Sequence, residues 1–346
     1  MKDIPIRMGE KVARKLDRLK LIKKNFDLLF PWKIARGVST FKTIFFIEWM
    51  GETLGETAFN VRFGESESQV EEKFAELLRQ ATFADAWEGL EELHFPISLP
   101  NSLQAGLAAA HLAKNAKAAG KTQEQLLSLP EPVAVATSFS VPILELSEIG
   151  AFFEKYSLSR FSVIKLKLGK EHDALKLLAE VAKFHPGPFR LDFNEARVDV
   201  PSFIAELKSI QRFPVEMVEQ PFFSDQAQKY RELKNHSPFP VFIDETVTGQ
   251  LPDESLAQLC HGINFKLMKS GGPYKLKHQL RLAHELGLKT MLGCMVETSL
   301  GISQALLFSS VVERFDLDGF LFLKQEPFLK VIERQGRIYL NRGHQA

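Results

Sequence analysis

The strongest constraint on this chain is a repeat of grammar. From about residue 131 onward, short apolar strands recur, and each is followed by an amphipathic helical stretch. The strand candidates are VAVATSFSVPI, FSVIKLKLG, PFRLDFNEA, PVEMVEQPF, PVFIDETV, GINFKLMKSGG, KTMLGCMVET and FDLDGFLFL. Between them lie helical segments such as DALKLLAEVAKF, VPSFIAELKSI and YKLKHQLRLAHELG. Alternation of this kind specifies a parallel sheet, since each crossover must carry the chain back before the next strand can start. Eight strands predict a closed α/β barrel of the TIM type over 131–323. The block is shorter than the roughly 250 residues typical of that barrel, which calls for compact loops or a missing last helix. A doubly wound open sheet is the structural alternative.

A smaller α+β domain is expected ahead of the barrel, within residues 1–130. FFIEWMGETLGETAF predicts a hairpin with an aromatic strand, a turn at Gly51 and a second strand from Leu54. Downstream, EEKFAELLRQ and NSLQAGLAAAHLAKNAKAAG place apolar residues three and four apart, as helices do, and Gly120 marks a stop. Pro130 and Pro132 in LPEPV mark the boundary. The stretch KVARKLDRLKLIKK, Lys11 to Lys24, predicts a solvated helix leading into the first strand, with a membrane-surface helix as the alternative.

A formal net charge of +1 lacks the basic excess of a dedicated nucleic-acid binder. No apolar run approaches the roughly 20 residues that span a bilayer. Two cysteines, Cys260 and Cys294, make no disulfide framework, so a reducing, cytoplasmic setting is expected.

Polar residues at the strand ends carry the chemistry. Lys165 and Lys167 end the second strand, Asp192 the third, Glu219 the fourth and Asp244 the fifth. Lys266 lies on the sixth, Glu297 on the seventh, and Asp316 and Asp318 on the eighth. From Lys167 to Lys266 successive members are 22 to 27 residues apart, one strand–helix unit each, so they converge at one end of the barrel. Three converging carboxylates would repel and protonate unless a cation joined them. All-oxygen ligation by Asp192, Glu219 and Asp244 suits Mg²⁺. The second and sixth strands face each other across a barrel, so Lys167 and Lys266 would flank a substrate carbon from opposite sides. One takes a proton and the other returns one, through an enediolate stabilised by the metal and by Lys165. Lys269 is expected on the opposite face from Lys266 by strand alternation.

KLKLG at Lys165–Gly169, LDFNEA at Leu191–Ala196, VEQPF at Val218–Phe222, IDET at Ile243–Thr246 and FKLMKSGG at Phe265–Gly272 resemble the enolase superfamily, in its muconate-lactonizing branch. A lysine base with magnesium is a pairing already known for that superfamily. The resemblance runs from about Leu19 onward and includes GETLGETAF. It implies a modified (β/α)7β barrel under an N-terminal capping domain, with 324–346 packing back on that cap. It also implies Mg²⁺ on Asp192, Glu219 and Asp244, Lys167 and Lys266 as the acid–base pair, and Lys165 on the substrate carboxylate. The seventh strand lacks the histidine of the mandelate-racemase branch.

Within the branch, Asp316 and Asp318 resemble the Asp-x-Asp signature of dipeptide epimerases, which holds the substrate's ammonium. Thr137 falls where those enzymes place a substrate-contacting threonine. Arg36 in PWKIARGVST resembles the arginine that receives a side-chain carboxylate in alanyl-glutamate epimerases. Glu297 is expected to tune the site or to hydrogen-bond within it. Glu195, Ala196 and Arg197 depart from the glutamine and glycine–tryptophan of relatives, which makes a specificity change or a local salt bridge. The implied activity is epimerisation of a small dipeptide such as L-Ala-L/D-Glu, in cell-wall peptide recycling, with no nucleic acid or membrane partner and a homo-oligomer compatible. An o-succinylbenzoate synthase, an N-acylamino-acid racemase and a catalytically silent metal-binding scaffold remain as alternatives.

Overall fold

The computed structural model of the protein describes residues 16–34 and 37–343. Arg36 and residues 11–15 of the basic stretch therefore lie outside the described residues. The chain is already in strand from Leu19, so the helix expected through Lys24 does not extend that far. Leu19 is buried while Lys20, Lys23 and Lys24 are exposed on this strand.

The cap opens with a three-stranded antiparallel sheet, β1 (Leu19–Ile34), β2 (Gly37–Trp49) and β3 (Glu52–Thr57). The turn falls at Met50–Gly51, and β3 starts two residues earlier than the sequence pattern placed it. Helices α1 (Glu67–Leu78), α2 (Ala81–Glu88), α3 (Asn101–Ala119) and α4 (Gln123–Leu126) pack against it. A capping box of Ser66 and Gln69 starts α1. Gly120, left-handed at φ 61°, ends α3. Gly55 of β3 and Gly106 of α3 touch so closely that a Cβ on Gly55 would sit 2.1 Å from the Gly106 carbonyl oxygen. Only bare backbone allows that approach.

The barrel strands are β5 (Ser138–Val141), β6 (Val163–Lys167), β7 (Phe189–Asp192), β8 (Val215–Glu219), β9 (Val241–Ile243), β10 (Gly262–Lys266), β11 (Lys289–Gly293) and β12 (Arg314–Asp316). They pair in parallel, in sequence order, from β5 to β12. The seam between β12 and β5 is closed without a ladder: the Leu317 N–H donates to Thr137 Oγ1 at 2.8 Å, and Ser138 Oγ donates to Asp316 Oδ1 at 2.7 Å. The crossovers run through α5 (Ile149–Lys155), α6 (Ala174–Val181), α7 (Val200–Ser209), α8 (Ala227–His236), the single turn α9 (Glu254–Ala257), α11 (Pro273–Glu285) and α12 (Ser299–Leu306). No α-helix follows β12 among the described residues, only a 3-10 turn at Gly319–Phe322. That makes seven strand–helix units and a last strand, and it accounts for the shortness of the block. An extra turn, α10 (Leu267–Ser270), follows β10 directly.

Val135–Ala136, β4, leaves the barrel to pair with a C-terminal hairpin, β13 (Val331–Arg334) and β14 (Arg337–Leu340). Arg342 beyond it reaches Glu124 of α4 at 2.5 Å. Outward-facing strand residues such as Leu166, Leu191, Val218, Ile243, Phe265 and Leu292 join the main apolar core between sheet and helices. Inside the barrel, Met217, Phe242 and Met291 form a separate apolar cluster. Two positions further along, β8 ends in Glu219 and β9 leads into Asp244, while β11 ends in Gly293.

Candidate active site

Strand register sets those charged groups level with one another. Lys167 pairs with Asp192 and Asp192 with Glu219; farther round, Lys266 pairs with Gly293 and Gly293 with Asp316. Asp244 follows the last residue of β9. β6 and β10 stand four positions apart in an eight-membered ring, so Lys167 and Lys266 rise from opposite walls. Gly293 is bare for a reason. A Cβ there would lie 2.6 Å from Asn264 Oδ1, and Asn264 needs the space to donate to Glu219 Oε1 at 2.8 Å.

Lysines and carboxylates interleave. Lys165 Nζ lies 2.7 Å from Asp316 Oδ2, 2.9 Å from Glu219 Oε2 and 3.1 Å from Asp192 Oδ2. Lys167 Nζ donates to Asp192 Oδ2 at 2.6 Å. Across the barrel, Lys266 and Lys269 hold the two oxygens of Asp244, at 2.7 and 2.5 Å. Burial alone would raise the Asp192, Asp244 and Asp316 carboxyls, but the lysines overcome it and hold all three below the usual range. Glu219 goes the other way. Burial, with Asp192 and Asp244 nearby, raises its carboxyl to about 7 against the pull of Lys165. Lys165 and Lys266, although buried, are held as ammonium ions above their ordinary value, chiefly by Asp192 and by Asp244 respectively.

Among the described residues, no group of three or more His, Cys, Asp and Glu side chains is disposed to hold a metal ion as it stands. Ammonium groups occupy the carboxylate oxygens instead. The donor set nevertheless fits a hard divalent cation, with three carboxylates on consecutive strand ends and no histidine or cysteine among them. Glu219 Oε2 is buried without a directed hydrogen bond and is compensated by the Lys165 charge 2.9 Å away, which makes it an acceptor suited to a cation.

The structure brings Lys165, Lys167, Asp192, Glu219, Asp244, Lys266 and Asp316 into one network. Asp318 joins them from just beyond β12, in a turn rather than on the strand, and accepts the Ser140 N–H at 2.5 Å. Burial and neighbouring Asp316 raise its carboxyl to about 7. Thr137 does not reach this network, because its hydroxyl is fully buried in the barrel seam. The residues facing the acids are Ser138 and Ser140, whose hydroxyls both donate to Asp316 Oδ1. Their i, i+2 spacing on β5 is the signal that identifies them.

Glu297 lies at the seam between cap and barrel, beside Glu56 of β3. The methyl of an alanine at 301 would meet Glu297 Oε2 at 2.5 Å and Glu56 Oε2 at 3.2 Å. Burial raises Glu297 to about 7, and burial together with Glu297 raises Glu56 to about 8. The expected local salt bridge is made by Arg197 alone, which holds Glu206, whereas Glu195 reaches across to the cap and takes a forked pair of bonds from Arg62, 133 positions away in sequence. Lys269 is the residue that alternation misplaces. The strand stops at Lys266, and the following turn brings Lys269 back onto Asp244.

Residues 148–334 match the family model described as Enolase C-terminal domain-like. The chain is 29% identical over 299 residues to an L-Ala-D/L-Glu epimerase of Bacteroides thetaiotaomicron, an alignment covering 85% of this chain and 77% of that one. It is 30% identical over 230 residues to an L-Ala-D/L-amino acid epimerase of Flavobacterium johnsoniae, covering 66% and 68%. Among solved structures, a substrate-liganded L-Ala-D/L-Glu epimerase of Bacillus subtilis superposes with a TM-score of 0.81 at 23% identity, over 94% of this chain and 96% of that one. A dipeptide epimerase of Enterococcus faecalis V583, complexed with Mg and L-Leu-L-Tyr, gives 0.79 at 21%, again over 94% and 96%.

Proposed function

This chain belongs to the enolase C-terminal domain-like family and is an isomerase of the epimerase or racemase class, and on that premise we propose that it is a Mg²⁺-dependent dipeptide epimerase inverting the α-carbon of the C-terminal residue. The observation that carries the reading is the pair of lysines on opposite walls, Lys167 and Lys266, each poised on a carboxylate at the same end of the barrel. A carbon between them exposes one face to each. One lysine removes the α-proton and the other delivers a proton from the far side, which inverts the centre.

Lys165 is assigned to the substrate carboxylate, where its fixed charge meets the negative charge that develops as the proton leaves. Asp192, Glu219 and Asp244 would hold the divalent ion, which when bound supplies further positive charge beside that carboxylate. Asp316 and Asp318 are assigned to the substrate's ammonium. A cation there would lower the raised carboxyl of Asp318 and gain a charged hydrogen bond.

L-Ala-L-Glu is the substrate to try first. Such a peptide fits a cytoplasmic role in recycling cell-wall fragments, in keeping with two free cysteines. The test is a panel of dipeptides and N-succinyl amino acids incubated in D₂O with Mg²⁺ or EDTA, read by mass and by chiral separation. Deuterium entering dipeptides with inversion, and lost with EDTA, is the expected result. Exchange confined to N-succinyl amino acids would replace this reading with that of an acylamino-acid racemase.

A further inference from the structure

Lys269 and Lys266 share one carboxylate but hold it differently. The ammonium of Lys269 is bonded to Asp244 Oδ1 and to the Asp244 carbonyl oxygen, each at 2.5 Å, and to the Asn264 carbonyl oxygen at 3.0 Å. An ammonium has three N–H bonds, so all are spent, two of them on main-chain carbonyls. Lys266, by contrast, makes one hydrogen bond among the described residues, to Asp244 Oδ2 at 2.7 Å. The turn that carries Lys269 is itself held, since Met268 packs with Ala105 of α3 beneath the cap. Asn264 extends the grip, with its carbonyl on Lys269 and its side-chain amide on Glu219.

We infer that Lys269 is a positioning residue for Lys266: it anchors Asp244 and carries that carboxylate's charge, so that Lys266 can leave Asp244, serve one face of the substrate carbon and return. The inference rests on the epimerase reading. Asp244 is only 3% exposed. Without Lys269, the divalent ion and Lys266 would be all that held this buried carboxylate, and each excursion of Lys266 would remove one of the two. Lys269 cannot serve as the base itself, because no N–H of its ammonium is free to turn toward a substrate.

The variants K269M and K269Q are assayed for solvent-deuterium exchange separately from each epimer of one dipeptide, with K266A identifying the epimer that depends on Lys266. Exchange from that epimer is expected to fall roughly ten- to hundredfold, as removal of a group supporting a site residue typically does. At saturating Mg²⁺, exchange from the epimer that depends on Lys167 stays near wild type. A general loss of structure would depress both alike, so equal loss, or no loss, overturns the inference. Should neither variant fold, solvent exchange of the lysine Nζ hydrogens, followed by NMR on ¹⁵N-lysine-labelled wild-type protein, reads the same property: those of Lys269 exchange more slowly than those of Lys266. Equal exchange, or faster exchange at Lys269, overturns it. Wild-type protein that exchanges no dipeptide overturns the epimerase reading instead, and the Nζ exchange still reports whether Lys269 is the fixed member of the pair.

Discussion

The barrel mouth and the seam beneath the cap bury acids equally deeply, yet the two regions settle their charge in opposite ways. At the mouth, Asp192, Asp244 and Asp316 each accept a hydrogen bond from a lysine and stay ionised despite burial. At the seam, Glu56 and Glu297 face each other and are pushed up to about 8 and about 7. The cation that acts on both is Lys42, which burial lowers to about 8 and which donates to the Phe59 carbonyl rather than to an acid. Burial by itself therefore does not decide ionisation. A hydrogen-bonded counter-charge does, and Glu219 and Asp318, raised to about 7 within the mouth, obey the same rule. Of the seam pair, Glu56 is raised the further, even though its two oxygens accept the Thr298 and Gly301 N–H groups at the start of α12, which pull the other way.

The contrast breaks most severely at Lys165, whose ammonium touches three carboxylates. In metal-free protein, K165M leaves those acids buried without that cation and should cost about 3–5 kcal/mol in urea unfolding. Added Mg²⁺ should restore a large part of it. A loss below about 1 kcal/mol, the scale of an exposed ion pair, would mean the network is not compensated as described.

A smaller effect sharpens the seam. Folded protein keeps the Glu297 proton between its ordinary value of 4.5 and about 7, whereas the unfolded chain has released it, so stability falls as pH rises through that window and levels off above it. Glutamine can imitate the protonated acid. E297Q should therefore flatten that slope and be more stable than wild type at pH 8 by about 1.4 kcal/mol or more, the free energy of a tenfold change in proton affinity. Thermal unfolding across pH 5–8 measures it, and parallel curves for the two proteins would reject the assignment. Smallest is R62A. Arg62 is 28% exposed at its side chain, and its loss from Glu195 should cost about 0.5–1 kcal/mol with little dependence on pH.

Much of this was legible in the residues. Strand–helix alternation and the even spacing from Lys167 to Asp244 placed eight strands and their polar ends, because a period-two strand fixes which side chains point inward. Lys269 was not legible, since alternation holds only while the strand lasts and β10 stops at Lys266. Thr137 was named from the resemblance, whereas the hydroxyls that bond Asp316 belong to Ser138 and Ser140, which the β5 ladder turns inward. Glu56 carried no signal at all. Its partner lies 241 positions away in sequence, and only the docking of the cap on the barrel brings the two together.

The opposed lysines are tested most directly by resolving exchange by face in K167A and K266A, each incubated in D₂O with Mg²⁺ and either epimer of the substrate dipeptide. Neither variant should invert the centre. Each should still exchange the α-proton of one epimer, and the two should retain opposite epimers. Inversion persisting in either variant, or both variants retaining the same epimer, would contradict a carbon held between two amines.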